Sequence, residues 1–126
     1  MDNKIKKAVA SKAVTKFRLE DLISELQGFS LGLKHEHWET TSYETHKTVE
    51  LIQETIDGLI DDFVEAYVGL CDGARPTFKK NLAASTDESA IIACLDKLDV
   101  KDSSILNIRD EMLQALYKYK YLKTLK

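Results

Sequence analysis

The sequence predicts an all-α protein that folds as an antiparallel four-helix bundle. Its 126 residues contain one proline and five glycines, so little in the chain interrupts long helices. In several segments apolar residues recur at every third or fourth position, which is the period of one helix face, and no segment alternates as a strand would. Three long helices and one short helix can bury their apolar faces only against one another. At this length, residues 1–126 are expected to form one domain.

Two long helices are predicted in the first half of the chain. The first runs from about Phe17 to Trp38, and the weaker pattern over residues 3–15 fits either a leading helix or an arm. The second begins after Thr41, because Thr41 and Glu44 have the spacing of a capping box, and it ends before Gly73. The predicted apolar faces comprise Leu19, Leu22, Ile23, Leu26, Phe29 and Leu33, and then Val49, Ile52, Ile56, Leu59, Ile60, Phe63, Tyr67 and Leu70.

A short helix and a long one are predicted in the second half. Residues 72–85 form a connection that is expected to hold one helical turn opened by Pro76. Ser85 and Glu88 have capping-box spacing, and Asp102 is expected to cap the fourth helix. Apolar positions are Phe78 and Leu82 in the connection, Ile91, Ile92, Leu95 and Leu98 in the third helix, and Ile105, Ile108, Met112, Leu116, Tyr119 and Leu122 in the fourth.

The fourth helix carries a second apolar stripe. Leu106, Leu113 and Tyr117 lie beside the first stripe rather than on it. A helix that is apolar on two sides must bury the second side as well. The sequence therefore predicts a homo-oligomer with contacts through this helix and through the outward face of the second helix.

Composition excludes several classes of protein. A net charge of −3 and a pI near 5.6 argue against a protein whose whole surface binds nucleic acid. The basic N-terminal segment leaves open either a local DNA contact or a solvated helix face. No apolar run reaches the length of a membrane span, and the lysines near the start are followed by no apolar signal region, so a cytoplasmic protein is expected. Cys71 and Cys94 are expected to be reduced. The basic residues of the segment are Lys4, Lys6, Lys7, Lys12, Lys16 and Arg18.

The three histidines lie close together around the predicted connection between the first two helices. His37 follows Leu33 by four residues and falls on the apolar stripe, whereas His35 points nearly the opposite way. On the second helix, His46 shares a stripe with acidic residues that lies roughly 110–150° from the apolar face. Imidazole and carboxylate groups at this spacing suit Fe(II), Mn or Zn, although a solvated acidic face and a hydrogen-bonded core histidine fit the same pattern. The acids are Glu50, Asp57, Asp61 and Glu65.

The pattern of these residues resembles the ferroxidase signature of the Dps-type mini-ferritins, a branch of the ferritin-like superfamily. A His-Trp pair, His37 and Trp38, closes the first helix, and the second helix carries a histidine with acids four, fifteen and nineteen residues later. A wider stretch around Leu59–Glu65, with Tyr43 and the last helix, is similar to short bacteriophage-encoded Dps-like proteins. The acids at those intervals are Glu50, Asp61 and Glu65, and Glu50 stands where the family usually has Asp.

The resemblance implies a ferritin-like bundle that binds iron and oxidises Fe(II) at a site between subunits. His37 and His46 would be ligands, or groups that hold a ligand, from one subunit. Asp61 and Glu65 would be carboxylate ligands that face a neighbouring subunit, with Glu50 assisting. Mn and Zn are the alternative metals, and no catalytic group beyond these metal ligands is indicated. The interval from His37 to His46 is nine residues where the family usually has twelve, and the third helix is short. These departures favour, as the alternative, a non-catalytic interaction module that keeps the bundle.

Overall fold

Four helices make up the regular structure of residues 19–78 and 82–125, the part of the chain that the computed structural model describes. They are α1 (Leu19–Glu39), α2 (Tyr43–Leu70), α3 (Glu88–Asp96) and α4 (Ser103–Lys123). The predicted all-α bundle with a short third helix is confirmed. The expected leading helix or arm over residues 3–15 lies outside the described residues.

The helices form a closed ring in which each packs most extensively against two neighbours. α1 packs against α2 and α3, and α4 packs against the same two helices. The end of α4 lies beside the end of α1, because the Tyr119 hydroxyl donates to Glu36 Oε1 at 2.9 Å. It also lies beside the start of α3, since Lys123 Nζ donates to Glu88 Oε2 at 2.7 Å. α4 is therefore antiparallel to α2 and α3, and the segment between α2 and α3 must return along the bundle.

The core is built from the predicted apolar stripes. Tyr119 and Phe29 meet edge to face with ring centroids 5.7 Å apart, an arrangement that aromatic rings favour. The predicted second stripe of α4 is only partly covered, because Leu106 and Leu113 are half-buried and Tyr117 is 52% exposed. The largest fully buried side chains are Leu22, Ile23, Leu26, Phe29, Leu33, Ile52, Ile56, Phe63, Tyr67, Ile91 and Tyr119.

The returning segment crosses α1 at two glycines. The Ser85 backbone N–H donates to the Gly28 carbonyl oxygen at 3.0 Å. A Cβ atom at Gly28 would overlap the Ala83 carbonyl, and one at Gly32 would overlap that of Ser85. Residues 74–78 are not helical, so the predicted turn opened by Pro76 is wrong there. A helix rises only about 1.5 Å per residue, which is a short advance for a segment that must return along the bundle.

Two of the predicted helix starts are displaced. The N-cap of α2 is Ser42 and not Thr41, and its side chain accepts from the Thr45 N–H. The N-cap of α3 is Asp87, while Ser85 Oγ accepts from the Asp87 N–H in the turn before it. Neighbouring Ser, Thr and Asp residues offer the same acceptor, so spacing alone does not select among them. The predicted cap at Asp102 is confirmed.

None of these four helices is both long enough and apolar enough to cross a membrane.

Replacement of Gly32 by Ala is expected to lower the free energy of unfolding by about 1–3 kcal/mol, because the added methyl group forces the returning segment off α1. Gly58→Ala is the matched control, since a Cβ there meets nothing within 4 Å, and it should raise stability by up to about 1 kcal/mol through helix propensity. Urea unfolding followed by circular dichroism measures both. Equal changes in the free energy of unfolding for the two substitutions would contradict the close packing of the returning segment on Gly32.

Candidate metal-binding face

His37 and His46 form a stacked pair where α1 ends and α2 begins. Their ring centroids lie 3.7 Å apart with 22° between the planes. His37 Nδ1 lies 3.0 Å from the His46 carbonyl oxygen, and His46 Nδ1 lies 2.9 Å from that of His37. Each ring therefore donates to the backbone of the other, and the pair ties the two helix ends together.

These reciprocal bonds fix the chemistry of both rings. A carbonyl oxygen only accepts, so each Nδ1 must carry the hydrogen. In the neutral form each Nε2 then holds a lone pair, and no described residue is bonded to it. His37 is 9% exposed and His46 is half-buried. Both imidazoles are thus prepared to bind a ligand through Nε2, the arrangement in which metal-binding histidines are usually held.

The short connection explains why the rings meet. α1 and α2 are joined by three residues, and the Ser42 backbone N–H donates to Thr40 Oγ1 at 3.1 Å. His37 lies in the last turn of α1 and His46 in the first turn of α2, so a tight turn places them side by side. As predicted, His37 is buried and His35 is exposed.

Exposed aromatic and basic side chains surround the pair. Trp38 is 65% exposed and Tyr43 is 69% exposed. Lys34 Nζ lies 5.3 Å from the centre of the Trp38 ring, and Lys47 Nζ lies 6.0 Å from that of Tyr43. Each lysine thus lies at about the distance at which a cation–π contact with its ring stabilises the pair.

Glu50 lies one turn beyond His46 and is electrostatically linked to the pair. A hydrogen bond from Lys47, 3.4 Å away, and the charge of that lysine lower the pKa of Glu50, with smaller contributions from His37 and His46. Glu50 is consequently ionised at neutral pH and is available as an oxygen donor.

Asp61 and Glu65 form a second cluster further along α2. A hydrogen bond with Asp61 and the negative charge of that residue raise the pKa of Glu65. Both side chains are exposed, and two carboxylates this close repel each other unless a proton or a cation lies between them.

The five predicted ligands thus fall into two groups on one chain. Asp61 follows His46 by fifteen residues, which is roughly 22 Å along a helix axis. Within residues 19–78 and 82–125, no group of three or more His, Cys, Asp or Glu side chains converges closely enough to hold a metal ion. A single chain therefore presents an imidazole end and a carboxylate end of the same helix, and does not bring them together.

One polar contact on this face was missed by the sequence reasoning. Ser30 Oγ donates to Asp57 Oδ1 at 2.5 Å and lies 3.5 Å from Gln53 Nε2, from which it accepts. Ser30 is 8% exposed and precedes His37 by two helical turns on the same side of α1. The spacing between Ser30 and His37 indicates that Ser30 faces inward, but it does not show which residue of α2 lies opposite Ser30.

A family of unknown function (DUF5856) matches residues 37–122, more than half of the chain. The matched segment begins at His37 and contains all five predicted ligands. No curated protein and no solved structure matches the chain.

The strain between Asp61 and Glu65 predicts a pH-dependent effect of Asp61→Asn. A carboxyl whose folded pKa is raised weakens the fold as pH rises through its titration range, because the folded state then loses a proton that it binds more tightly than the unfolded state does. Asn at position 61 removes the repulsion, so the variant should melt higher than wild type at pH 7 and equally at pH 3. Thermal melts at both pH values measure this.

Glu54→Gln, on the same helix, is the control for Asp61→Asn. It removes a charge but keeps the contact between Asp61 and Glu65. The difference between its melting temperatures at pH 7 and pH 3 should therefore equal that of wild type. A melting temperature for Asp61→Asn that is lower than wild type at pH 7 would contradict the repulsion.

Proposed function

Because the chain belongs to a family of unknown function (DUF5856), we propose its function from its own geometry: a ferritin-like metal-binding protein whose site is completed between two copies. The observation that carries the proposal is the His37–His46 pair, in which both Nδ1 atoms are engaged and both Nε2 atoms are left for a ligand. Nitrogen donors held in this way need oxygen donors opposite them, and the same helix offers these at its other end.

An antiparallel pairing of α2 with its copy would unite the two ends. The midpoint between His46 and Asp61 lies at Gln53 and Glu54, so a two-fold axis there sets His46 of each copy against Asp61 of the other. Two equivalent sites result, as isologous dimers require. Glu65 then lies one turn from each site on the carboxylate side.

The charges and apolar groups of this face support the same partner. Lys34 and Lys47 lie at the imidazole end together with Glu50, whereas Asp57, Asp61 and Glu65 lie at the carboxylate end, so an antiparallel copy would place two lysines near three carboxylates. Exposed apolar side chains accompany them at both ends, and such side chains favour burial against a second protein surface. These are Trp38 and Tyr43, next to the histidines in the chain, and Phe78 beside Asp61.

The topology also favours a ferritin-like fold. Ferritin-like bundles have one long crossover connection between their second and third helices. Here residues 71–87 run between the end of α2 and the start of α3, which lies at the opposite end of the bundle. The short α3 departs from a full-length bundle, so the size of the assembly does not follow from the fold.

The donor set suits a divalent first-row metal. Imidazole nitrogen with carboxylate oxygen fits Fe(II), Mn(II) or Zn(II). Iron would be the substrate as well as the bound metal: carboxylates hold Fe(II) and stabilise the ferric product of its oxidation by dioxygen. The protein would contribute the position of the donors, the fixed tautomer of both histidines and the charge of the acids.

Complementation between two defective variants tests the intersubunit site. His46→Ala removes the imidazole end, and Asp61→Ala with Glu65→Ala removes the carboxylate end, so each homodimer should lose stoichiometric anaerobic Fe(II) binding. A mixed dimer contains one copy of each and regains one intact site, which should restore about half of the wild-type binding because the second site is doubly defective. Fe(II) titration in an anaerobic cell, followed by admission of air, measures binding and oxidation.

The control for this experiment is Glu54→Gln, which lies on α2 beside the proposed axis and outside the donor set. It should bind Fe(II) as wild type does. Stoichiometric Fe(II) binding by either variant homodimer, or its absence in the mixed dimer, would rule out a site shared between copies.

A second candidate function is a helical interaction module without catalysis, which the outer side of α4 favours. Tyr117 and Tyr121 are 52% and 61% exposed, and Leu106 and Leu113 are half-buried beside them. A DNA contact through the basic N-terminal segment would rest on residues outside the described part of the chain.

If α4 forms the contact between copies, Tyr117→Ser with Tyr121→Ser should weaken self-association at least tenfold, because truncation of buried interface tyrosines removes dominant contacts. Sedimentation equilibrium at micromolar concentration measures the dimer Kd. Leu51→Ser, on the exposed side of α2, is the control and should leave the Kd unchanged. An unaltered Kd in the tyrosine variant would exclude the α4 interface.

A further inference from the structure

A cavity lies at the end of the bundle where the turn between α1 and α2 meets the end of α4. Its volume is about 850 Å³, and pockets that hold small molecules usually measure about 300–1,000 Å³. The last turn of α1, the first two turns of α2 and the last residues of α4 form its wall. The cavity is therefore large enough for a small organic ligand.

Part of the cavity wall is apolar. Val49 is buried and Leu122 is half-buried, and both line the cavity together with Tyr119. Leu125 also lines it and is 56% exposed. Apolar side chains with a few convergent polar groups are the usual lining of a small-molecule site, and these four suit a ligand with a hydrocarbon body.

The Glu36 carboxylate lines the same cavity and has one oxygen without a partner. Its Oε1 accepts from the Tyr119 hydroxyl at 2.9 Å, while no hydrogen bond or ion pair within residues 19–78 and 82–125 engages its Oε2. Burial and the hydrogen bond to Glu36 raise the pKa of Tyr119, so the phenol stays protonated and brings no charge. A cation would stabilise a half-buried carboxylate whose partner is neutral.

Two threonine hydroxyls of α2 also line the cavity. A threonine hydroxyl inside a helix often donates to the carbonyl four residues earlier, as Thr55 does to Leu51 at 3.0 Å. Thr45 and Thr48 are half-buried, and neither hydroxyl has a hydrogen-bond partner in the part of the chain that the structure describes. They thus add two oxygen acceptors to the carboxylate on the same wall.

The charges of the wall favour a positively charged ligand. Lys123 lines the cavity, but its Nζ lies 2.7 Å from Oε2 of buried Glu88, so the charge of this lysine is already offset. Glu36 and Glu44 line the cavity as well, and neither forms an ion pair with another described residue. An ammonium group offers three N–H donors and no acceptor, which matches one carboxylate and two hydroxyl oxygens.

We propose that the cavity binds a small organic amine in its protonated form. Glu36 and the two threonines accept from the ammonium group, and the hydrocarbon part packs against Val49 and Leu122. None of the five residues proposed as metal ligands takes part, so this site goes beyond the proposed function and does not rest on it.

Calorimetric titration of the metal-free protein with hexylamine at pH 7 tests the proposal. One hexylammonium ion should bind per chain, and hexanoate and hexanol, which have the same chain length, should bind at least about tenfold more weakly. Glu36→Gln keeps an acceptor for Tyr119 but loses the charge, so it should weaken hexylamine binding about tenfold or more. Thr48→Val keeps the side-chain shape and should weaken it about two- to tenfold through the loss of one hydrogen bond.

Glu39→Gln is the matched control, because Glu39 carries the same charge in the last turn of α1, is exposed and does not line the cavity. It should leave the affinity for hexylamine unchanged, and circular dichroism confirms that each variant folds. Tighter binding of hexanoate would show an anion site at Lys123, and equal binding of hexanol would show an apolar cavity only. Either result would overturn the proposal, as would wild-type affinity in Glu36→Gln or no binding of hexylamine by wild type.

Discussion

The stacking of His37 on His46 is the contact on which the candidate metal-binding face depends. Three residues join α1 to α2, and a turn this short leaves the last turn of one helix beside the first turn of the next. The two rings then satisfy each other's backbone carbonyls. The His37 carbonyl lies in the last turn of α1, where helix carbonyls have no partner within the helix, and the His46 ring supplies one. The same bonds that close the turn therefore select the tautomer that leaves both Nε2 atoms for a ligand.

Acidic side chains on the outward side of α2 repel one another and so destabilise the helix. Like charges four residues apart destabilise a helix, and Asp61 with Glu65 is such a pair, as the raised pKa of Glu65 reflects. Nothing in the packing of α2 requires these acids, because its opposite side already buries an unbroken apolar stripe. The proposed metal site would relieve this repulsion, because a cation between the two carboxylates offsets their charges.

The sequence predicted the parts of this protein that follow from periodicity. The buried stripes, the inward position of His37 and the outward position of the acids all come from the helical repeat. Contacts between distant segments do not follow from it. Ser30 meets Asp57 across 27 residues. Gly28 and Gly32 lie inside a helix, and the helical repeat does not indicate that the returning segment packs on them. The nine-residue interval between the histidines counted as a departure from the family, yet this interval is what makes the rings touch.

The other half of the bundle holds the end of α1 in place. All five predicted ligands lie on α1 and α2, whereas α4 reaches the end of α1 through the bond from Tyr119 to Glu36, the residue immediately before His37. Burial and that carboxylate both raise the pKa of Tyr119, so the phenol stays protonated and remains a donor over the whole physiological range. α3 fixes the same end of α4 through Glu88 and Lys123. A short α3 is sufficient for this task because it needs to reach only the end of the bundle at which the histidines lie.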